Sequence, residues 1–313
     1  MNTRVHLMVM RPLSLCGSVS IALTVSAASL LWGASPPRIT PAVGYVEQLT
    51  GDLEAFSIER AGMAVPLALL LPLRAGDRLF VHGEGNAALL QCGNRRIRIT
   101  ERQSPFVVPA APSPPGFLTR LGTVLLDLGA RLTTQQAKSV TKVSTSSRGE
   151  EGPLAIPLLQ DRMNHLVSDT TLLSLSWSGG VPPYKIRLST VREEPREITT
   201  LNGVDTTRIV VSLPRPLPLG FAHVEVTDAE DTMVRGTFEV VPARRLPSVK
   251  PTHGDSDIPA PLRTIIAVDS WLKKNSREWS FHAYQTVAPL AASFEPARIL
   301  RDCLEGSVSC YEQ

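Results

Sequence analysis

Two stretches of the chain match Ser-x-x-Lys, Ser139-Val140-Thr141-Lys142 and Ser270-Trp271-Leu272-Lys273, where a lysine one helical turn away could take the proton of a serine nucleophile. Patterns with two fixed positions recur by chance, and the companion motifs of penicillin-recognising enzymes do not accompany them, so neither is read as catalytic. The sequence contains no Gly-x-Ser-x-Gly elbow, no His-Glu-x-x-His pair and no glycine-rich phosphate loop with its lysine. Asp228, Glu230 and Asp231 could offer oxygens to calcium, but they lack the regular ligand series of a calcium loop and read as a solvated hairpin tip. The histidines are scattered from His6 to His282 and no cysteines have CxxC spacing, which argues against a zinc site. Cys303 and Cys310 could close a short disulfide loop in an oxidising compartment, whereas Cys92 falls in an apparent strand and reads as an inert thiol. Trp177 and Tyr184 are the candidate binding residues, since apolar ring faces pack on sugars. The competing and favoured reading makes the tryptophan a core plug and the tyrosine a turn anchor. The expectation is a protein that is not an enzyme, with no catalytic residue, cofactor or metal.

Composition narrows the partners. The formal charge is +3, aromatics make up 5% of residues, and no long run of either sign occurs, which disfavours a nucleic-acid surface. The 313 residues can hold two or three domains, and the 26 prolines fit short strands joined by stiff connections.

Arg4 and Arg11 precede an uncharged, mainly apolar stretch from Leu13 to Trp32. That is the layout of an export signal, and residues 1–34 read as a signal peptide or a membrane anchor. Cleavage after Val25-Ser26-Ala27 is preferred. Left uncleaved, residues 13–32 are long enough to span a bilayer and to hold the protein at the cytoplasmic membrane. Either outcome places the remainder in the periplasm or cell envelope. Leu13-Ser14-Leu15-Cys16 is not read as a lipoprotein box, because the apolar core follows the cysteine.

Residues 43–109 contain short apolar runs at Val43–Val46, Leu53–Phe56, Leu79–Val81, Ala87–Leu90 and Ile97–Ile99, separated by Gly and Asp, which predicts a compact all-β sandwich. The motifs Gly44-Tyr45-Val46 with Leu49-Thr50-Gly51-Asp52-Leu53, Leu73-Arg74-Ala75-Gly76-Asp77-Arg78-Leu79 and Asn86-Ala87-Ala88-Leu89-Leu90-Gln91-Cys92-Gly93 resemble the FecR-like domain. Gly76-Asp77 is expected to make a tight reversal, the glycine supplying a positive φ and the aspartate bonding nearby amides. The resemblance implies a domain outside the cytoplasmic membrane, linked in some members to sigma-factor signalling and carried in others by envelope proteins of different kinds. The regulators begin with a Trp-rich cytoplasmic segment, whereas the apolar stretch here starts at Leu13. A non-catalytic binding or scaffolding module is therefore the leading expectation, and a membrane-anchored FecR-type regulator of signal transduction is the alternative.

Residues 110–152 read as a proline-stiffened linker and one amphipathic helix, with Phe117, Leu118, Leu121, Val124, Leu125, Leu128 and Leu132 in a single stripe. The polar stretch from Thr133 to Glu151 is expected to be mobile. Residues 153–241 carry a second set of alternating runs, and Trp177 with Gly179-Gly180-Val181-Pro182-Pro183-Tyr184 resembles bacterial immunoglobulin-like domains, implying a sandwich of about seven strands. Asn202-Gly203 is read there as a turn. A linker over 242–260 leads to a helical tail over 261–313, with a break at Asn275 and a last helix between Pro296 and Gly306. The fold class is thus mainly β and multidomain: a FecR-like β-sandwich, an immunoglobulin-like β-sandwich and a small C-terminal α-helical bundle. The expected partner is an envelope protein or a glycan such as peptidoglycan, with the membrane engaged through the N-terminal segment if it is uncleaved, and no nucleic acid.

Overall fold

A computed structural model describes residues 40–111, 115–145, 152–160, 163–191, 196–248 and 257–306, with side chains of the helix over 116–145 described as far as residue 137. The N-terminal apolar segment and Cys310 lie outside these residues. No described helix is long and apolar enough to cross a membrane.

The chain is mainly β, with helices in the middle and at the C-terminal end. Its first region folds into two four-stranded antiparallel sheets. One is ordered β4 (Pro72–Arg74), β1 (Ala42–Thr50), β6 (Ala87–Cys92), β7 (Arg95–Thr100); the other is β3 (Met63–Val65), β2 (Phe56–Arg60), β5 (Arg78–Val81), β8 (Phe106–Val107). Alternation explains the core: Phe56 and Ile58 of β2 and Leu79 and Val81 of β5 are buried, while Ser57 and Arg78 face water and Phe80 is half-buried. The run Leu53–Ala55, expected as a strand, is instead a single 3-10 turn capped by Asp52, whose carboxylate accepts the Glu54 N–H at 3.0 Å. At the reversal before β5, Gly76 has φ +86°, and the buried Asp77 carboxylate accepts the Arg74 N–H at 2.8 Å and the Arg60 Nε–H at 2.9 Å.

The second region sets a two-stranded sheet, β10 (Leu172–Ser176) with β13 (Arg208–Ser212), against a five-stranded one. The larger sheet is ordered β12 (Glu197–Val204), β11 (Tyr184–Thr190), β14 (Gly220–Thr227), β15 (Met233–Val241), β9 (Asn164–Val167), and β9 joins parallel to β15. Seven strands therefore share the core of Leu173, Leu175, Trp177, Ile186, Leu188, Val224, Val226 and Phe238. Asn202-Gly203 does not turn the chain. It lies inside β12, where Gly203 takes φ +69° and the register to β11 slips between Tyr184 and Ile186. A bulge uses the same residue types as a tight turn, because both need a positive φ.

Among the described residues, three α-helices accompany the sheets: α1 (Gly116–Thr145), α2 (Ala260–Val287) and α3 (Glu295–Glu305). The stripe of α1 is buried at Phe117, Leu118, Leu121, Leu125, Leu128 and Leu132, and the helix packs on β1, β4 and α3. It runs well beyond the expected stop. Thr133 bonds back to the Gly129 carbonyl at 2.8 Å and accepts the Leu69 N–H at 2.9 Å, and the buried Gln136 donates to the Leu49 carbonyl at 2.9 Å. Polar residues beyond Leu132 thus continue the helix by bonding to the first β region. Helix α2 breaks at Asn275 (φ −160°, ψ 83°), and α3 ends at Gly306, as the capping pattern predicts. The first half of α2 buries Leu262, Ile265, Val268 and Leu272 in the core of the first β region. Its second half is a shared wall: Trp279, Ala283 and Val287 enter that same core, while Phe281 and Tyr284 enter the core of the second region.

Candidate functional site

Trp177 and Tyr184 do not form a binding platform. Both are 3% exposed, their rings meet edge to face with centroids 5.3 Å apart, and the Tyr184 hydroxyl donates to the carbonyls of Gly179 and Gly180 at 3.0 and 3.2 Å. With both ring faces in the core, neither can stack on a sugar. Asp228 is likewise committed, accepting the backbone N–H groups of Val181, Glu230 and Thr232 at 3.2, 3.0 and 2.8 Å. Among the described residues, no group of His, Cys, Asp or Glu is arranged to hold a metal.

The two Ser-x-x-Lys stretches fare differently. The side chains of Ser139 and Lys142 lie outside the described residues. Lys273 lies 2.7 Å from Asp127 and 3.1 Å from Asp269, and its hydrogen bond holds the Asp127 carboxyl below the usual carboxylate range. Lys273 is thus committed to two carboxylates, one on its own helix and one on α1, rather than set beside Ser270 as its base. Cys92 is a free, half-buried thiol whose pKa burial pushes up, against nucleophilic use. Cys303 is disulfide-bonded, and Cys310 lies outside the described residues.

Two other polar assemblies were not foreseen from sequence. The first is the set of buried polar groups where helices meet sheets and one another. Asp269, 3% exposed, accepts from Arg131 of α1 at 2.7 Å, tying α1 to α2. Asn164 of β9, fully buried, donates to the Leu158 carbonyl at 2.8 Å and accepts the Phe281 N–H of α2 at 3.0 Å. Gln285 accepts the Ser174 N–H at 2.7 Å and donates to the Ser174 carbonyl at 2.9 Å, treating the edge of β10 as a neighbouring strand would. No sequence signal marks these residues, because the partners across the helix contacts lie more than a hundred residues away along the chain.

A row of rings runs beside them: Trp271 against His282 (5.4 Å between centroids), His282 against Trp279 (6.0 Å) and Trp279 against His165 (5.2 Å). Burial lowers the His282 pKa from 6.5 to about 4, only partly offset by Asp169. The unfolded chain therefore binds a proton below pH 6.5 that the folded chain refuses until about pH 4. Stability is expected to fall across that window, by up to about 3 kcal/mol from this residue. Urea titrations at several pH values should show the fall in the parent and a flatter profile in His282→Leu. Parallel profiles would refute the assignment.

The second assembly lies on the outer face of the five-stranded sheet. Glu225 of β14 is 2% exposed and is flanked by Arg187 of β11 and Arg235 of β15, its direct register partners. Arg187 donates Nε–H at 2.5 Å and Arg235 donates Nε–H at 2.9 Å, and the Nη2 group of each also pairs with the carboxylate. Burial pushes the Glu225 pKa up, but the hydrogen bonds and charges of the two arginines outweigh it and bring it below the usual range. Two cations thus surround one carboxylate that stays ionised, on a face that remains about half exposed at both arginines. The strands fix this arrangement, since residues opposed in register project to the same face.

No protein-family model matches the chain, and no curated protein sequence matches it. Among solved structures, the chain is similar to the crystal structure of CopC from Methylosinus trichosporium OB3b, over 26% of this chain and 87% of that one, at 20% identity and a TM-score of 0.20. A likeness that slight carries no argument about function.

Proposed function

We propose that the chain is a non-catalytic binding and scaffolding module of the cell envelope, exported through its apolar N-terminal segment. The observation that carries the scaffolding role is the chain of buried polar bonds that links the first β region to α1 through Gln136, α1 to α2 through Asp269, and α2 to the second β region through Asn164 and Gln285. Apolar contact alone tolerates sliding, whereas a buried amide must keep its partners or lose about 1–3 kcal/mol, so these bonds hold the two β regions in one relation. A body of that kind suits holding two surfaces at a set geometry. Export is supported by Arg4 and Arg11 before the apolar stretch Leu13–Trp32, and by the motifs of the first β region, which resemble a domain found outside the cytoplasmic membrane.

Export is tested by fusing, after Trp32, a reporter enzyme that matures only where disulfides form. Full reporter activity is expected, and a reporter left inactive in the cytoplasm removes the envelope assignment. The non-catalytic part fails if the purified chain shows turnover of an envelope polymer that a single polar substitution abolishes.

A further inference from the structure

We propose that the outer face of the five-stranded sheet binds a carboxylated glycan, with Arg187 and Arg235 holding the carboxylate. This deepens the binding-module reading and rests on it. Across β11, β14 and β15 the backbone ladder is continuous, from Lys185 to Thr190 against Ala222 to Thr227 and from Gly220 to Thr227 against Met233 to Val240. Central strands present no spare backbone groups, so an extended peptide cannot add itself there by main-chain bonds. Whatever binds must be recognised by side chains.

Those side chains are arranged in rows set by the register. Glu225 stands between Arg187 and Arg235, His223 stands beside Thr237 one row on, and Phe221 stands opposite Glu239 in the next. Alternate residues of a strand are about 7 Å apart, which puts Phe221 roughly 13 Å from Glu225 along β14. Each arginine spends its Nε and Nη2 on Glu225, and its Nη1 group makes no hydrogen bond among the described residues. The guanidinium planes are held by the buried carboxylate while one donor group of each stays open to solvent. Lys185, exposed on the same face of β11, has no carboxylate partner among the described residues and adds a further positive charge.

Charge and chemistry together select the ligand. Around Glu225 three cations, Lys185, Arg187 and Arg235, face one buried anion, while the other acids of this face stand in later rows, Glu197 beside Ser189 and Glu239, paired with Arg245, beside Phe221. The excess that attracts an acidic group is therefore local to the arginine end. A planar carboxylate fits guanidinium donors. Burial and the charges of Arg235 and Arg187 lower the His223 pKa, which keeps its imidazole neutral at pH 7 as a hydrogen-bonding group for hydroxyls, next to the Thr237 hydroxyl. Phe221 is 44% exposed and offers a ring to the apolar face of a sugar. Acid group, hydroxyls and apolar ring face occur in that sequence on an acidic sugar chain.

The test uses the full chain, titrated calorimetrically with a short oligouronate, with the same oligomer as its uncharged methyl ester, with inorganic phosphate and with polyglutamate. Binding of the oligouronate, weakening with salt and lost in the ester, is expected. The triple variant Arg187→Gln, Glu225→Gln, Arg235→Gln replaces the ionic network by amides, and in it affinity is expected to fall roughly tenfold or more. If that variant does not fold, Lys185→Gln and NMR shift mapping at His223 and Phe221 decide. No binding of the oligouronate, equal binding of the ester, an unchanged triple variant, or shifts confined to other surfaces would each overturn the assignment. Tighter binding of polyglutamate transfers the face to an acidic protein, and tighter binding of phosphate to a phosphate-bearing ligand; either result overturns the glycan. All these outcomes leave export and scaffolding standing, and export is tested separately by the reporter fusion.

Discussion

Gly129→Ala is expected to destabilise the chain by about 3–5 kcal/mol, although glycine to alanine inside a helix normally gains up to about 1 kcal/mol. The reversal comes from one contact. A Cβ built at Gly129 would stand 1.7 Å from the Leu69 carbonyl oxygen and 2.9 Å from its carbon, so backbone rather than a flexible side chain blocks the space. Relief requires α1 to lift off the segment before β4. That movement breaks the Thr133 hydroxyl's contact with the Leu69 N–H and strains the packing of Leu125, Leu128 and Leu132, all buried in the same core. Overpacking of a close-packed interior costs about 1–3 kcal/mol, and more where backbone blocks the space, and the lost Thr133 bond adds about 1 kcal/mol. Gly122 of the same helix is the internal control, because a Cβ there meets nothing within 4 Å, and Gly122→Ala should be stabilising by about 0.5–1 kcal/mol. Denaturant midpoints of the two variants should move in opposite directions. Movement in the same direction would show that α1 is not held against Leu69 as described.

Gly129 also shows what the sequence could and could not reveal. The apolar stripe from Phe117 to Leu132 is legible because helical spacing repeats locally, and the buried residues match it, with Val124 half-buried at its margin. The glycine in the middle of that stripe gives no sign of its role, since a close approach by Leu69 depends on a partner sixty residues away. The polar run after Leu132 resembles a mobile connection for the same reason. Its bonding partners, the Leu49 carbonyl and the Leu69 N–H, are fixed only once the sheets exist.

The strands follow the same division. Runs that alternate over several residues, such as Tyr184–Leu188 and Ile97–Ile99, are visible locally, and both form strands. Strands β3, β4 and β9 are three or four residues long, and β9 is buried at every residue, so no alternation announces them. In α2 the stripe Trp279, Ala283, Val287 is readable, but the second stripe of Phe281 and Tyr284 is masked, because a helix buried on two faces loses its single apolar side. The arginine pair around Glu225 was hidden for a related reason. Arg187, Glu225 and Arg235 sit on three strands, and only the register between those strands turns three scattered charges into one constellation.

The second large effect is expected at Gln285, where the helix takes over the work of a missing strand. The smaller sheet of the second region has only β10 and β13, set against five strands, so one edge of β10 would face the core with unpaired backbone. Gln285 bonds both the N–H and the carbonyl of Ser174 and is itself 8% exposed, leaving little water to replace it. Gln285→Leu keeps the apolar volume but leaves a buried N–H and a buried carbonyl without partners, a loss of about 1–3 kcal/mol for each in full isolation and roughly 2–4 kcal/mol in all. Global unfolding should show that loss, and hydrogen exchange should show where it falls, with the Ser174 amide losing protection before the amides of β11 and β14. A Ser174 amide that exchanges as slowly in Gln285→Leu as in the parent would mean that something other than α2 closes the edge of β10, and that the helix only leans on a sheet complete without it.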